Sequence, residues 1–357
     1  MRIGIDCREL TGKLTGISRI LINLLGYIAE NDIPHKFVLF GSQKTKFDYN
    51  FLKNAKFDKK IINENIAFLW DQFKLKNALI ENKIDLFYSP YYKMPVFTKT
   101  PSIISLFDLT YFVVEPYSNK LFYNMYLKLL IKVVSGKAKK VITCSEYSKR
   151  DIVNILGIPE QKIEVIYLGL SERFKPANQN EISLLKNKYA LDKKYILYTG
   201  NKNEHKNLSR LISAFNMLPD DLKSQYQLIL AGVDQSHYKD FNVKALGHVD
   251  DAALPVLYSG ARLLVIPSLY EGFGLPALEA MACGCPVISS DTSSMPEIFG
   301  SAPLYFNPLS ALDIKNRMLE VLNNEVLAGE MRQKGFERVK NFSIENMSKK
   351  FIKVFES

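Results

Sequence analysis

The stretch from Pro267 to Ala282 reads PSLYEGFGLPALEAMA and indicates the architecture of the chain. It follows an apolar run, Leu263–Ile266, which predicts a buried β-strand. Pro276 suits the first turn of a helix, where its missing N–H removes no hydrogen bond. The segment is therefore predicted to be a strand, a loop with two glycines and a helix, which together form one βα unit of a parallel sheet.

The residue types of this loop suit a ligand that carries both phosphate and hydroxyl groups. Gly272 and Gly274 allow the backbone to approach a ligand closely and to adopt positive φ. The start of the helix offers N–H groups and the positive end of its dipole to a diphosphate. Phosphate would repel Glu271 and Glu279, so we expect these carboxylates to accept hydrogen bonds from sugar and ribose hydroxyls.

Strand and helix patterns alternate along the whole chain, which is typical of βα units and parallel sheets. A chain of 357 residues is also longer than one core usually serves, so two α/β domains are expected. The polar residues 170–182 mark the join between a first domain, 1–170, and a second, 171–343. A final amphipathic helix, 344–357, is expected to cross back onto the first domain.

The predicted elements are short strands and amphipathic helices. The strands are Arg2–Asp6, Lys36–Phe40, Asp85–Tyr88, Ser102–Leu106, Lys140–Thr143, Ile163–Ile166, Tyr195–Thr199, Tyr226–Ala231, Val243–Leu246, Leu263–Ile266 and Pro286–Ser289. The helices are Gly16–Ala29, one from about Asn207, and those near 254–260, 275–282, 311–324, 327–340 and 344–356. Ligands of doubly wound sheets bind beyond the carboxyl ends of the strands, so we expect these loops to face a cleft between the domains.

One sequence pattern resembles the donor site of family-4 glycosyltransferases. It consists of the two glutamates, the GFGLP between them and the ACGCPVI at Ala282–Ile288. The likeness continues at Ser145–Lys149, Thr199-Gly200, Leu246–Asp250, Pro296-Glu297 and Tyr305–Pro308. It covers essentially the whole chain. The resemblance implies the GT-B fold, in which two doubly wound Rossmann-like domains face a central cleft, and transfer of a sugar with retention of configuration.

The resemblance also implies roles for individual residues. Glu279 is expected to hold the ribose, Glu271 the hydroxyls of the donor sugar, and the backbone at Val249 the base. The other expected donor-binding residues are Gly16, Gly200, His205, Lys206, Gly272, Phe273, Gly274 and Leu275. Glu271, Lys206 and Asp108 are the expected catalytic residues.

A basic pair ends the loop that follows the strand Tyr195–Thr199. The family has Arg-Lys or a similar pair at this place, and this chain has His205 and Lys206. We expect Lys206 to stabilise the negative charge on the leaving diphosphate. Histidine in place of arginine weakens the cation at neutral pH and removes bidentate contact. The sequence contains no Asp-x-Asp motif, so we expect no metal and no cofactor, only a nucleotide sugar such as GDP-mannose or a UDP-hexose.

The first domain has a glycine-containing loop of its own, LTGKLTGISR at Leu10–Arg19. Gly16 is expected to bring backbone N–H groups to the distal phosphate of the donor. The loop resembles that of mannosyltransferase-like members, and this likeness alone favours mannose as the sugar.

One departure from the family lies at Ser105–Thr110. Many relatives have His-Asp-Leu where this chain has Phe107, Asp108 and Leu109. A phenyl ring packs against a sugar face but cannot move a proton. Asp108 is expected on the acceptor side, as an orienting group or a base, with a strand-end cap as the alternative. The resemblance implies that the leaving diphosphate takes the acceptor's proton, so activity is compatible with Phe107.

Positive charge is concentrated in the first half of the chain. Residues 1–170 hold 25 Lys and Arg against 16 Asp and Glu, and the whole chain has a net charge of +10. We expect this half to face something anionic, such as a membrane surface or a phosphorylated lipid, and we find no motif that binds nucleic acid. Tyr123–Lys140 mixes apolar residues with lysines, which fits a core helix with a basic edge or a helix on a bilayer.

The remaining features exclude other classes of protein. Four cysteines, at positions 7, 144, 283 and 285, show neither a disulfide framework nor the spacing of a metal site, so structural thiols are expected. No run approaches the roughly 18 apolar residues of a membrane span, and the start lacks a signal-peptide pattern. We expect a cytoplasmic location, with peripheral contact to the inner face of the membrane.

These observations together predict a metal-independent, retaining hexosyltransferase. Its acceptor is expected to be a lipid-linked or growing surface polysaccharide. Two alternatives stay open: a non-catalytic nucleotide-sugar-binding subunit of a glycan-assembly complex, which Phe107 and His205 suggest, and an epimerase of the GT-B fold.

Overall fold

The computed structural model describes residues 1–12, 15–115, 117, 121–234 and 243–357, which form two compact units. The first unit comprises Met1–Leu109, Lys120–Gly169 and Phe342–Ser357, and the second comprises Thr110–Asn119 and Leu170–Asn341. The sequence had assigned all of 1–170 to one domain. The structure instead groups Thr110–Asn119, as far as that stretch is described, with the second unit.

The helices and strands alternate along the chain. The strands are β1 (Arg2–Asp6), β2 (Lys36–Gly41), β3 (Phe57–Ile61), β4 (Leu86–Ser89), β5 (Ser102–Ser105), β6 (Lys140–Thr143), β7 (Ile163–Val165), β8 (Lys194–Thr199), β9 (Tyr226–Ala231), β10 (Val243–Gly247), β11 (Leu263–Ile266), β12 (Val287–Ser290) and β13 (Leu304–Phe306). The helices are α1 (Gly16–Glu30), α2 (Ala67–Leu69), α3 (Leu75–Glu81), α4 (Thr110–Val113), α5 (Leu121–Lys137), α6 (Glu146–Leu156), α7 (Gln179–Lys188), α8 (Leu208–Asn216), α9 (Asp220–Gln225), α10 (Leu254–Ser259), α11 (Leu275–Ala282), α12 (Met295–Phe299), α13 (Ala311–Leu322), α14 (Glu325–Val339) and α15 (Ile344–Glu356).

Each unit is built on a parallel sheet. Within the described residues the first unit has the strand order β3-β2-β1-β4-β5-β6-β7, and the second has β10-β9-β8-β11-β12-β13. In each sheet the order reverses once, between β1 and β4 and between β8 and β11. Such a reversal leaves a crevice at the carboxyl ends of the two strands, which is where parallel α/β sheets bind ligands.

Buried aliphatic and aromatic side chains explain why these segments become strands. In β1 every residue from Ile3 onward is buried. The four central residues of β8 and all four residues of β11 are buried as well. Strands buried on both faces have continuous apolar sequences, which is the pattern the sequence shows. The sequence-predicted strands agree with the observed ones to within a residue or so at each end.

Two strands were not predicted from the sequence, for different reasons. β3 is an edge strand whose last four residues are exposed and include Lys59 and Lys60. Lysine on an edge strand discourages pairing with another chain, but it also hides the strand from a search for apolar runs. β13 has only three residues, which is too short for a periodic signal.

The C-terminal helix α15 packs inside the first unit. Phe351 and Phe355 lie with their ring centroids 5.6 and 5.3 Å from that of Tyr88, which is fully buried on β4. The backbone N–H of Gly169 contacts Met347 Sδ at 3.2 Å. The last residues of the chain thus complete the core of the unit that contains its first residues.

The packing of α15 leaves no room for a side chain at Gly169. A Cβ added there would lie 2.6 Å from Ile344 Cα and 2.8 Å from Ile344 N, so the backbone itself would have to move. We expect Gly169→Ala to lower the free energy of unfolding by about 1–3 kcal/mol, measured by thermal or denaturant unfolding. Gly26→Ala is the matched control, because an added Cβ on that α1 residue meets nothing within 4 Å. Equal stability of the two variants would contradict this account of the packing.

Candidate functional site

The predicted donor residues of the second half gather where the strand order reverses. β8 and β11 pair directly, with Leu263 opposite Ile196. The loop after β8 carries Gly200, His205 and Lys206, and the loop after β11 leads through residues 267–274 into α11. The fold thus brings two segments that lie about 65 residues apart in sequence to one edge of one sheet.

Glu271 and Lys206 form an ion pair at this edge. Lys206 Nζ lies 2.6 Å from Glu271 Oε1, and the two side chains are 18% and 15% exposed. Ser268 Oγ donates a second hydrogen bond to the same oxygen at 2.6 Å. The backbone of Glu271 is held as well, because its N–H donates to Ser293 Oγ at 3.0 Å and its carbonyl accepts from Ser294 Oγ at 2.8 Å.

These contacts keep Glu271 ionised. Burial acts to raise the pKa of its carboxyl group, and the charge and hydrogen bond of Lys206 act to lower it. Ser268 and the charge of His205 act in the same direction, so the pKa of Glu271 lies below its ordinary value. The side chain is therefore a fixed hydrogen-bond acceptor, suited to the hydroxyl groups of a sugar.

Asn207 ties the two loops together. Its φ of 55° is one that asparagine tolerates better than most residues. The buried amide Nδ2 donates to the carbonyl of Pro267 at 2.9 Å and to that of Pro308 at 2.8 Å. The carbonyl of His205 in turn accepts the N–H of Leu269 at 2.7 Å. Lys206 lies between these two anchored residues and so projects from a fixed backbone.

The start of α11 is a candidate position for an anion. Gly274 precedes the helix with a φ of 87° and has no side-chain cap. A Cβ at Gly274 would lie 2.5 Å from Phe299 Cζ, so both its φ and its close packing require glycine. Pro276 has no N–H and the N–H of Ala277 donates to the Gly274 carbonyl at 3.1 Å, so the first turn offers a phosphate the N–H of Leu275 and the positive end of the helix dipole. Leu275 is the first residue of that turn, and Phe273 is buried just before it.

Glu279 lies one turn further along α11 and is only 3% exposed. Tyr258 donates its hydroxyl hydrogen to Glu279 Oε2 at 3.0 Å. The Tyr258 hydroxyl also lies 3.2 Å from Thr199 Oγ1, at the end of β8. A polar chain therefore links Glu279 to the strand end that precedes Gly200. Val249, the residue expected near the base, is buried just after β10.

The remaining predicted residues belong to the first unit. Gly16 is the exposed first residue of α1, which Thr15 caps, and an added Cβ at Gly16 would meet nothing within 4 Å. Phe107 follows β5 and is half-buried, and its carbonyl accepts from Ser148 Oγ at 3.3 Å. Asp108 next to it is exposed. The predicted donor-binding residues of α11 and of the loops after β8 and β11 thus lie in one unit, and Gly16, Phe107 and Asp108 lie in the other.

Tyr117 is a candidate site residue that the sequence did not reveal. It belongs to the stretch that groups with the second unit, and its hydroxyl oxygen accepts the N–H of Glu204 at 3.1 Å. Its ring centroid lies 6.1 Å from that of His205. No motif surrounds Tyr117, and its partners lie almost ninety residues away, so a search of the sequence had no signal to use. Tyr258 and its partner Glu279 are 21 residues apart and share no motif, whereas Ser268 lies three residues before Glu271, a local spacing that could have revealed it.

Two family models match the chain. One, described as Glycosyl transferases group 1, matches residues 181–338, and the other, described as Glycosyltransferase Family 4, matches residues 14–173. The chain is 30% identical over 291 residues to the O-antigen chain mannosyltransferase B of Escherichia coli. That match covers 78% of this chain and 76% of the relative.

Solved structures share the fold over nearly the full length. Sucrose-phosphate synthase of Thermosynechococcus elongatus has a TM-score of 0.80 at 18% identity, with 99% of this chain and 98% of that chain covered. HepE of Anabaena, solved in complex with UDP and glucose, has a TM-score of 0.78 at 18% identity, with 100% and 99% covered. The expected GT-B fold of two parallel α/β domains is therefore confirmed.

Glu271 makes the free energy of unfolding depend on pH, and replacing Lys206 should change the sign of that dependence. In the native protein the pKa of Glu271 is lowered, so its contribution is present above about pH 4.3 and is lost as the pH falls through the folded-state pKa. In Lys206→Met burial is no longer outweighed, so the pKa rises above that of the unfolded chain and stability falls as the pH rises. Denaturant unfolding between pH 4 and 7 measures this. The double variant Lys206→Met/Glu271→Gln should lack the dependence, and a Lys206→Met profile like that of the native protein would refute the account.

Tyr117 should position the loop that carries Lys206. Tyr117→Phe keeps the ring beside His205 and removes the oxygen that accepts the Glu204 N–H. We expect a nucleoside diphosphate to bind about two- to tenfold more weakly, measured by calorimetry. Tyr111→Phe also loses a hydroxyl group and keeps its ring next to Tyr117, and it should bind as the native protein does. Equal affinities for all three proteins would remove Tyr117 from the site.

Proposed function

The chain belongs to the family-4 glycosyltransferases, and from this membership we propose that it transfers a hexose with retention of configuration. The donor is a nucleotide diphosphate sugar, GDP-mannose or a UDP-hexose. The acceptor is a lipid-linked or growing surface polysaccharide at the inner, cytoplasmic face of the membrane. Mannose is favoured by the glycine-containing loop Leu10–Arg19 and by the mannosyltransferase named among the relatives.

The observation that carries this proposal is the Lys206–Glu271 pair beside the start of α11. An ammonium group has three N–H donors, and Glu271 takes one of them at 2.6 Å. The others suit the oxygens of a diphosphate, which the Leu275 N–H and the dipole of α11 also favour. Glu271 then faces sugar hydroxyls, and Glu279 the ribose. A phosphate and a hydroxylated ring can thus be bound side by side.

The reaction breaks the bond between the anomeric carbon and the diphosphate oxygen and forms a bond from that carbon to the acceptor oxygen. We propose that the acceptor's proton passes to the leaving diphosphate on the same face of the sugar. Negative charge grows on the diphosphate as the first bond breaks, and Lys206, His205 and the α11 dipole stabilise it. The chain's own positive groups perform this task, which is the basis for proposing metal independence and no cofactor.

Phe107 and Asp108 bear on the acceptor side of the proposal. Phe107 gives the acceptor or the sugar an apolar contact surface, and the exposed Asp108 carboxylate orients an acceptor hydroxyl group. Phe107 also motivates the second candidate function, a subunit that binds nucleotide sugars without transferring them, because a phenyl ring replaces an imidazole that many relatives have at this position.

The proposal is tested by incubating the protein with a panel of nucleotide sugars and a lipid extract, with EDTA present. We expect release of nucleoside diphosphate from one donor, and product of the same anomeric configuration by NMR. Glu271→Gln should lower kcat/KM by about 100-fold or more, because it removes the ionised acceptor while keeping the shape. Glu330→Gln, an exposed change on α14, is the control and should retain full activity.

Each contrary outcome identifies a different failure. Donor binding without release from any donor would favour the non-catalytic subunit. Release that requires an added divalent cation would contradict metal independence. Full turnover by Glu271→Gln would exclude Glu271 from the mechanism.

A further inference from the structure

Helix α5 exposes a stripe of large apolar side chains. Phe122, Met125, Tyr126, Leu129 and Val133 are 85%, 58%, 64%, 63% and 42% exposed. Their spacing of three, one, three and four residues places all five on one side of an α-helix. A continuous exposed apolar strip of this kind usually marks a surface that contacts a partner or a membrane.

The opposite side of α5 already supplies the contacts that hold the helix in its unit. Leu127, Ile131, Val134 and Ala138, which follows the last turn, are buried. Lys162 Nζ donates to the carbonyl of Gly136 at 2.7 Å and so fixes the last turn. The sequence left open whether this helix serves the core or a bilayer. The structure shows two apolar faces, and only one of them is used by the core.

The charge around the stripe has a single sign. Between Glu115 and Glu146 the sequence has six lysines and no Asp, Glu or Arg. Lys128, Lys132 and Lys137 lie on the exposed part of α5, where the helical spacing puts Lys132 and Lys137 on either side of the stripe. Lysines beside an apolar stripe keep their ammonium groups in water while their stems lie along apolar surface.

We propose that α5 lies on an anionic lipid bilayer, with its stripe at the boundary between headgroups and acyl chains and its lysines on lipid phosphates. A bilayer fits better than a protein partner because the stripe is continuous, mixes aromatic with aliphatic residues, and has cations along both edges. No helix in the described part of the chain has the length and hydropathy needed to cross a membrane, so the contact is peripheral. The inference deepens the proposed function, because it brings the protein to the surface where a lipid-linked acceptor lies.

The experiment uses the whole protein and vesicles, with no sugar donor, so that its outcome is independent of catalysis. Sedimentation with vesicles of phosphatidylcholine and phosphatidylglycerol measures partitioning. We expect binding to the mixed vesicles that weakens with added salt, and little binding to phosphatidylcholine alone. Two triple variants should each bind the mixed vesicles at least roughly tenfold more weakly than the native protein does. They are Phe122→Ser/Tyr126→Ser/Leu129→Ser and Lys128→Gln/Lys132→Gln/Lys137→Gln.

Matched controls make equal changes elsewhere. Leu184→Ser/Leu309→Ser/Val326→Ser removes three apolar side chains that are 69%, 64% and 74% exposed. Lys186→Gln/Lys334→Gln/Lys353→Gln removes three charges outside α5. Both controls should bind like the native protein. Binding of the α5 variants within twofold of these controls, or no binding of the native protein to anionic vesicles, would overturn the proposal.

Two further measurements keep the test decisive. Tyr126→Trp preserves an aromatic residue in the stripe, and its fluorescence emission should shift to shorter wavelength on anionic vesicles; no shift would overturn the proposal even if the serine variant unfolds.

Sedimentation velocity without lipid tests a second copy of the chain as the occupant. A dimer that the serine variant abolishes, with vesicle binding unchanged, would assign the stripe to self-association instead.

Discussion

The contacts of the candidate site in the second unit centre on a carboxylate held out of water in the loop after β11. Glu271 is largely buried, and a buried charge is costly unless it is paired and hydrogen-bonded. Lys206 and Ser268 supply that compensation, and Ser293 and Ser294 hold the backbone. The result is a rigid acceptor in the first residues of the loop that leads into α11, which is the kind of preorganised group that a binding site for hydroxyl groups requires.

The sheet topology makes this pairing possible. Because β8 and β11 are neighbours with parallel direction, the loops that leave their carboxyl ends meet at one edge. Asn207 donates hydrogen bonds to two carbonyl groups, one of them in the second loop. The backbone next to Lys206 is therefore fixed close to Glu271. The same edge includes Thr199 and Tyr258, which orient Glu279. The chemistry of the site is thus set by contacts between segments that only the fold brings together.

Much of this arrangement could be predicted from the sequence. The apolar run Leu263–Ile266 and the glycines before Pro276 predict strand, loop and helix with their observed bounds, because burial and turn geometry leave a direct local signature. β3 could not be predicted, since an edge strand with lysines carries no apolar pattern. Tyr117 could not be assigned either, because its contact with Glu204 arises from tertiary packing, whereas Ser268 lies three residues before Glu271 and had a local signal. For α5 the sequence shows apolar residues and lysines, but only the exposure of each side chain in the structure separates those of the core from those of the stripe.

We propose that the diphosphate and the sugar of the donor bind at the β8–β11 edge of the second unit. A crystal structure of the protein with a nucleotide sugar that it binds would show where these groups lie. We expect the diphosphate at Lys206 and the Leu275 N–H that begins α11, the hexose hydroxyls at Glu271 and the ribose at Glu279. A donor bound elsewhere, or one bound at this edge with its diphosphate away from Lys206 and α11, would overturn the proposal.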